Sequence, residues 1–296
     1  MSGRPEKWSA IRAHLESVGF RPSRRLGQNF LLEDNVCEAI VRDAELEPGE
    51  VVLEVGVGLG FLTRHLLATG SPVIGVEIDP RLSDFAADRL AGEGSFELLR
   101  TDVLAAKNRL SEAVLAAVPK QGRWSLVSNL PYAVGSPAMV LLSRLAVPPR
   151  RMTVLVQLEV GDRLCADPGT PEWGALGARL QAVYEARLVR RVAPEAFRPR
   201  PKVDSAVMQL DLREGAPDSV ELVRFDRLLT ALFPQRRKRV RNPLASHLGG
   251  REAADRALAQ AGLDPEARVA WLTVDDWRRL AAAIDATAPS GVGGVE

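Results

Sequence analysis

Residues 51–60 read Val51-Val-Leu-Glu54-Val-Gly56-Val-Gly58-Leu-Gly60, an apolar run that stops in three glycines at alternate positions. An apolar run of this length suits a strand buried on both faces. The glycines suit the turn carrying that strand into a helix, expected over residues 61–68. Without a Cβ, the backbone there can approach a ligand closely. The spacing G-x-G-x-G, followed by Phe61, departs from the G-x-G-x-x-G that seats a pyrophosphate, which disfavours a nicotinamide or flavin dinucleotide.

Outward from this turn, short apolar runs alternate with helix-like segments from residue 51 to about 212. Strands are expected over 72–78, 96–100 and 124–129, with 152–160 as a long central strand and an amphipathic stretch ending at Leu90. The alternation predicts a parallel, doubly wound, Rossmann-like α/β sheet. Runs at 183–192 and 205–212 predict two late strands that could end the sheet antiparallel. Residues 213–219 are turn-rich and mark a boundary. Beyond it, Phe225, Leu228, Leu229 and Leu232 follow i, i+3, i+4, i+7 spacing, and residues 220–286 predict a smaller all-helical domain. Its last helix is expected over 275–284, capped by Thr273. The chain thus divides into an N-terminal arm (1–50), a sheet domain (51–215), a helical domain (220–286) and a disordered tail (287–296).

Of the 296 residues, 46% are hydrophobic and 26% charged, as in ordinary soluble proteins. No run approaches 18 uninterrupted apolar residues, which argues against a membrane span. The start, from Met1 to Trp8, lacks the apolar core of a signal peptide. Cys37 and Cys165 lie far apart, which predicts free thiols in a reducing cytoplasm and no structural metal.

The net charge of +1 argues against a protein that coats nucleic acid indiscriminately. The cations are clustered, however. Arg21, Arg24 and Arg25 lie near the start, and Arg187, Arg190, Arg191, Arg198, Arg200 and Lys202 form a second group. Arg236, Arg237, Lys238, Arg239 and Arg241 put five cations within six positions. Basic patches on a neutral protein suit a polyanion docked at one face, and this last cluster is the candidate RNA contact. The alternative for each cluster is a solvated helix face.

Two acids extend the glycine turn into a candidate cofactor site. Glu77, 21 residues after Gly56, ends the next strand, where its carboxylate can accept from both hydroxyls of a ribose. Asp102 ends the strand after that and can accept from an adenine amino group. Three consecutive strand ends converge on one crevice in such a sheet. Glu54, Gly56, Gly58, Glu77 and Asp102 together read as an S-adenosylmethionine site, although either of the last two acids alone would read as a helix cap.

The fourth strand ends in Ser128-Asn129-Leu130-Pro131-Tyr132. The N6 lone pair of adenine is delocalised into the ring, so that nitrogen is a weak nucleophile. If the Asn129 side-chain oxygen and the Leu130 carbonyl accept its two N–H bonds, the lone pair turns toward a methyl donor. Pro131 restricts the backbone and withholds a competing donor. Tyr132 offers a ring on which a flipped base can stack, worth roughly 1–3 kcal/mol.

With Leu26-Gly-Gln-Asn-Phe-Leu-Leu32, Glu195-Ala-Phe-Arg-Pro-Arg-Pro-Lys-Val-Asp-Ser-Ala-Val207 and Arg236-Arg-Lys-Arg-Val-Arg-Asn242, these motifs resemble the KsgA family of adenine dimethyltransferases acting on small-subunit ribosomal RNA. The resemblance runs from about residue 24 to 280. It implies that Asn29 and Leu31, from the N-terminal arm, help hold the cofactor beside Glu77, Asp102 and Asn129. It further implies that Phe197 closes over the target base opposite Tyr132. The implied reaction is transfer of two methyls to each of two adjacent adenosines near the 3′ end of 16S rRNA, in a nascent small subunit and by a monomer. Val57, Ala133 and Leu158 stand where the family commonly has Pro, Asn and a basic residue.

Two rivals remain. A 23S rRNA adenine methyltransferase of the antibiotic-resistance type would tend to be shorter and more basic. An RNA-binding assembly factor without catalysis would have no need of the intact cofactor and Asn129–Tyr132 residues.

Overall fold

The computed structural model describes residues 8–17, 19, 20, 22 and 28–287. Arg21, Arg24, Arg25, the Leu26-Gly27 start of the arm motif and the tail from residue 288 lie outside them. The elements, in order, are α1 (Trp8–Ser17), β1 (Phe30–Leu31), α2 (Asp34–Ala44), β2 (Val51–Val55), α3 (Phe61–Leu67), β3 (Val73–Glu77), α4 (Pro80–Arg89) and β4 (Phe96–Arg100). A small ribbon follows, β5 (Leu104–Ala106) and β6 (Arg109–Leu110), then α5 (Glu112–Ala117), β7 (Trp124–Asn129), α6 (Gly135–Leu142), β8 (Arg151–Gln157) and α7 (Leu158–Cys165). The remainder is α8 (Ala175–Gln181), β9 (Tyr184–Val192), β10 (Phe197–Arg198), β11 (Ser205–Leu212), α9 (Ser219–Leu232), α10 (Arg241–Leu248), α11 (Arg251–Ala261) and α12 (Val274–Thr287).

Seven strands form one sheet in the order β4-β3-β2-β7-β8-β11-β9. The chain builds outward from β2 through β3 to β4, then returns to lay β7 against the other side of β2. The four pairings among the five strands from β4 to β8 are parallel. β11 runs antiparallel to β8, with Ser205 opposite Gln157 and Asp211 opposite Arg151. Continuous burial along β2, β3 and β7 follows from helices covering both faces of a parallel sheet. The order reverses between β2 and β7, and at such a point the two neighbouring strand ends diverge and leave a crevice.

The run 152–160 does not form one strand. The strand stops at Gln157 and α7 begins at Leu158. Leu158, Gly161 and Leu164 follow the three-to-four spacing of a helix, a period as compatible with this run as alternation. Gly161 approaches β11 so closely that a Cβ would lie 2.8 Å from Met208 Sδ.

The chain divides into two compact units, Met1–Gly161 with Arg187–Asp211, and Asp162–Ala186 with Leu212–Glu296. The second unit takes in residues 162–186, which the sequence reading assigns to the sheet domain. In it, Arg179 of α8 pairs with Asp226 of α9 at 3.2 Å, and the Arg179 guanidinium donates to the Thr230 hydroxyl. Phe225, Leu228, Leu229 and Leu232 form the buried face of α9. Thr273 caps α12 reciprocally: its hydroxyl accepts from the Asp276 amide at 3.1 Å and its amide donates to the Asp276 carboxylate at 2.9 Å. No helix among the described residues is long and apolar enough to cross a membrane.

Candidate active site

Every cofactor and Asn129–Tyr132 residue expected from the sequence lines one pocket at the reversal between β2 and β7. Asn29, Leu31, Glu54, Gly56, Gly58, Glu77, Asp102, Asn129, Leu130, Pro131 and Tyr132 all contribute to its wall. Each strand supplies its C-terminal end, which is why residues far apart in sequence meet there.

The glycine turn is shaped as much by the protein as by any ligand. Gly56 has φ 83°, and a Cβ on it would lie 2.7 Å from Pro131 Cγ. Gly58, at φ 57°, would put a Cβ 3.3 Å from the Phe30 ring. A side chain at either position would therefore meet both backbone strain and a clash. The first glycine is what lets the turn after β2 lie against the Asn129–Tyr132 segment after β7.

Glu77 fastens the turn from the next strand. Its two carboxylate oxygens accept from the Gly58 amide at 2.8 Å and the Asp79 amide at 2.9 Å. Burial pushes this carboxyl up, while the two amides pull it back down. Glu54 is more deeply placed, at 1% exposure, and its Oε2 makes no hydrogen bond among the described residues. Burial pushes its carboxyl up to about 8, with Thr63 pulling the other way and the charge of Glu77 adding to the rise. Asp102 is half-buried and accepts from the Leu104 amide at 2.9 Å, so it both caps a turn and faces the pocket.

Among the described residues lining the pocket there are three carboxyls and no Lys, Arg or His. Such a wall repels a pyrophosphate and attracts a cation. The buried, unpartnered Glu54 oxygen is costly unless a donor reaches it.

At the mouth, Asn129 Nδ2 donates to the Asn29 carbonyl at 3.2 Å. A carbonyl can only accept, so this bond fixes the side-chain amide with its oxygen turned away from Asn29 and free to accept. The Leu130 amide donates to the Leu155 carbonyl at 3.1 Å, while among the described residues no donor reaches the Leu130 carbonyl itself. The Tyr132 hydroxyl lies 3.1 Å from Ser205 Oγ, which tethers the half-buried ring to the first residue of β11. Ser205 is wholly buried. The sequence reading misses its part, and the available signal was a lone hydroxyl opening the apolar first half of β11.

Phe197, which the resemblance sets over the target base, is not among the residues lining this pocket. Its side chain has no exposed surface, packs into the core with Phe20, Phe30 and Leu31, and does not reach the pocket wall. β10 pairs with β1, Leu31 opposite Phe197, so the residue braces the arm strand from behind.

The cationic segment behaves differently from its appearance in sequence. Arg236 donates to the carbonyls of Thr170 and Pro171 at 3.0 and 3.2 Å. Arg239 pairs with Glu266 at 2.6 Å and Arg241 with Asp255 at 2.7 Å. Arg237 and Lys238 are exposed and have no side-chain partner among the described residues.

The family model for ribosomal RNA adenine dimethylases matches residues 19–286. A ribosomal RNA small subunit methyltransferase A of Pelotomaculum thermopropionicum is 38% identical over 92% of this chain and 95% of its own. One from a Geobacillus species is 36% identical over 91% and 94%. Among solved structures, the 23S rRNA methyltransferase ErmE superposes with a TM-score of 0.64 at 29% identity, covering 87% of this chain and all of its own. By the match over nearly its whole length, the chain belongs to the ribosomal RNA adenine dimethylase family.

Proposed function

We propose that this protein dimethylates N6 of two adjacent adenosines near the 3′ end of 16S rRNA in a nascent small subunit, with S-adenosylmethionine as donor, in the cytoplasm. The observation that carries the reading is the glycine-floored pocket, whose ionisable lining side chains are carboxyls except for Tyr132, with the oriented Asn129 amide in its wall. The residues fit this cofactor: a sulfonium and an ammonium suit a wall of carboxyls, and Glu54 Oε2 lacks the donor that an ammonium supplies. In this reading Glu77 takes the ribose hydroxyls with its remaining lone pairs, and Asp102 faces the adenine amine.

When bound, S-adenosylmethionine supplies an electrophilic methyl group on a sulfonium. Asn129 Oδ1 and the Leu130 carbonyl accept the two N6 hydrogens of the target base, turning the nitrogen lone pair away from the ring. No strong base is needed, because the nitrogen becomes acidic once alkylated and its proton leaves afterwards. Tyr132 holds the base by its ring face, with Ser205 fixing the ring. Relatives named for the small subunit, at 36–38% identity, favour that target over the 23S target in the name of ErmE.

The test is incubation with undermethylated small-subunit particles and isotope-labelled S-adenosylmethionine, followed by mass spectrometry of the nucleosides. Labelled N6,N6-dimethyladenosine in 16S rRNA is the expected result. Label confined to 23S rRNA would favour the resistance-type reading, and RNA binding without label would favour an assembly factor.

A further inference from the structure

Trp271 is the outlier among the tryptophans of the second unit. Its residue surface is 52% exposed, whereas Trp173 and Trp277 of the same unit are wholly buried. An indole left in water is unfavourable, by about 25 cal/mol per Å2 of apolar surface, unless something covers it. It is not loosely held. Residues 236–240 run beside 267–270, joined by amide donations from Val240 to Ala267, Val269 to Lys238 and Ala270 to Arg236, at 2.8–3.1 Å. The loop at 166–173 braces the other side. The Gly169 amide donates to the Ala270 carbonyl at 2.8 Å, and a Cβ on Gly169 would sit 3.4 Å from the indole. Arg236, holding Thr170 and Pro171, fastens that brace.

Exposed cations lie beside this ring, although the bracing loop also carries the exposed acids Asp167 and Glu172. The Arg268 guanidinium lies over the indole, 5.4 Å from its centroid, and is exposed. The pairing of Arg239 with Arg268 joins the Trp271 segment to the segment bearing the unpaired Arg237 and Lys238. Glu266, on the segment leading to Trp271, pairs with Arg239 and more loosely with Arg241. An exposed aromatic ring with a guanidinium over it, on a segment joined to one whose Arg237 and Lys238 have no side-chain partner among the described residues, is complementary to a base attached to phosphates.

We propose that Trp271 and Arg268 form a stacking platform for one unpaired base of ribosomal RNA, with Arg237 and Lys238 on the adjoining phosphates. The platform rests on the reading of this protein as an rRNA enzyme, and supplies a base contact where the sequence offers only charges. Stacking is insensitive to base identity, so the platform recognises single-stranded RNA rather than a sequence.

The test uses the full chain and a labelled single-stranded oligoribonucleotide of mixed sequence, read by fluorescence anisotropy without cofactor. Trp271→Ala should weaken binding about tenfold and leave the salt dependence unchanged, because a ring carries no charge. Trp271→Phe should recover most of the loss, and Arg268→Ala should both weaken binding and flatten the salt dependence. Thermal melting checks that each variant is folded. Equal affinity of folded Trp271→Ala and wild type would overturn the platform. So would normal oligonucleotide binding by Trp271→Ala together with weakened binding to the small-subunit particle, which would make the face a protein contact. Failure of wild type to methylate 16S rRNA would sink the functional reading and leave these binding results intact.

Discussion

The pocket between β2 and β7 and the cationic segment at 236–241 contrast in how local sequence becomes chemistry. At the pocket, residues from the arm and from four strand ends meet, since a parallel sheet delivers every strand's C-terminal end to the same edge. In the cationic segment, five charges adjacent in sequence separate into different roles. Arg236 holds a loop, Arg239 and Arg241 pair with Glu266 and Asp255, and only Arg237 and Lys238 face solvent unpaired among the described residues. Strand-end position is a property of topology, whereas the availability of a charge depends on partners that sequence proximity does not reveal.

The sharpest way to break this contrast is at Asn129. Asn129→Ala removes the acceptor for N6 while leaving β7 intact, and should lower the methyl-transfer rate about a hundredfold or more in single-turnover assays. A loss under threefold would mean that the oriented amide is incidental to the chemistry.

Tyr132 comes next. Tyr132→Ala should reduce the rate about tenfold, with cofactor affinity by calorimetry nearly unchanged. Tyr132→Phe keeps the ring, loses the bond to Ser205, and should fall between the two. Equal losses in rate and cofactor affinity for the alanine variant would reassign Tyr132 to structure.

Glu54 tests the electrostatics of the pocket through pH. Its carboxyl titrates near 8 in the folded chain against an ordinary value of 4.5, so the folded chain retains a proton that the unfolded chain gives up. Stability from this group is therefore full below about 4.5 and is lost as pH rises through 8. Glu54→Gln cannot ionise and should melt higher than wild type at pH 9, with the gap closing toward pH 5. A pH-independent gap would contradict a buried, neutral Glu54.

The smallest effects belong to the cations. Arg237→Ala with Lys238→Ala should flatten the salt dependence of particle binding by about 0.7–0.9 log units per lost phosphate contact. Arg239→Ala with Arg241→Ala should leave that slope unchanged and lower the thermal midpoint, mostly through the half-buried Arg241, since an exposed pair such as Arg239 with Glu266 contributes only roughly 0–1 kcal/mol. The reverse assignment would mean that the ion pairs open on the ribosome.

Much of the fold was legible because buried parallel strands are apolar runs of strand length, separated by helix-like segments. The break at Gln157 was not, because Val156 to Val160 satisfies a strand and a helix period equally well. Nor was the grouping of residues 162–186 with the C-terminal helices, which depends on contacts such as Arg179 with Asp226. Glu54, Gly56, Glu77 and Asn129 were readable at the site because strand ends fix them. The burial of Phe197 was not legible either, because its pairing opposite Leu31 is a long-range event. Ser205 was missed for the same reason.

The central claim is that the Asn129 to Tyr132 rim presents adenosine N6 of 16S rRNA to a methyl donor in the acidic pocket. Two methyls on N6 block the Watson–Crick edge, so reverse transcriptase halts at the modified base. Primer extension along 16S rRNA, after treating undermethylated particles with S-adenosylmethionine and either wild type or Asn129→Ala, reads this directly. The account predicts strong stops at two adjacent adenosines near the 3′ end with wild type, nearly absent with the variant. Stops of equal strength with both proteins, or none with wild type, would contradict it.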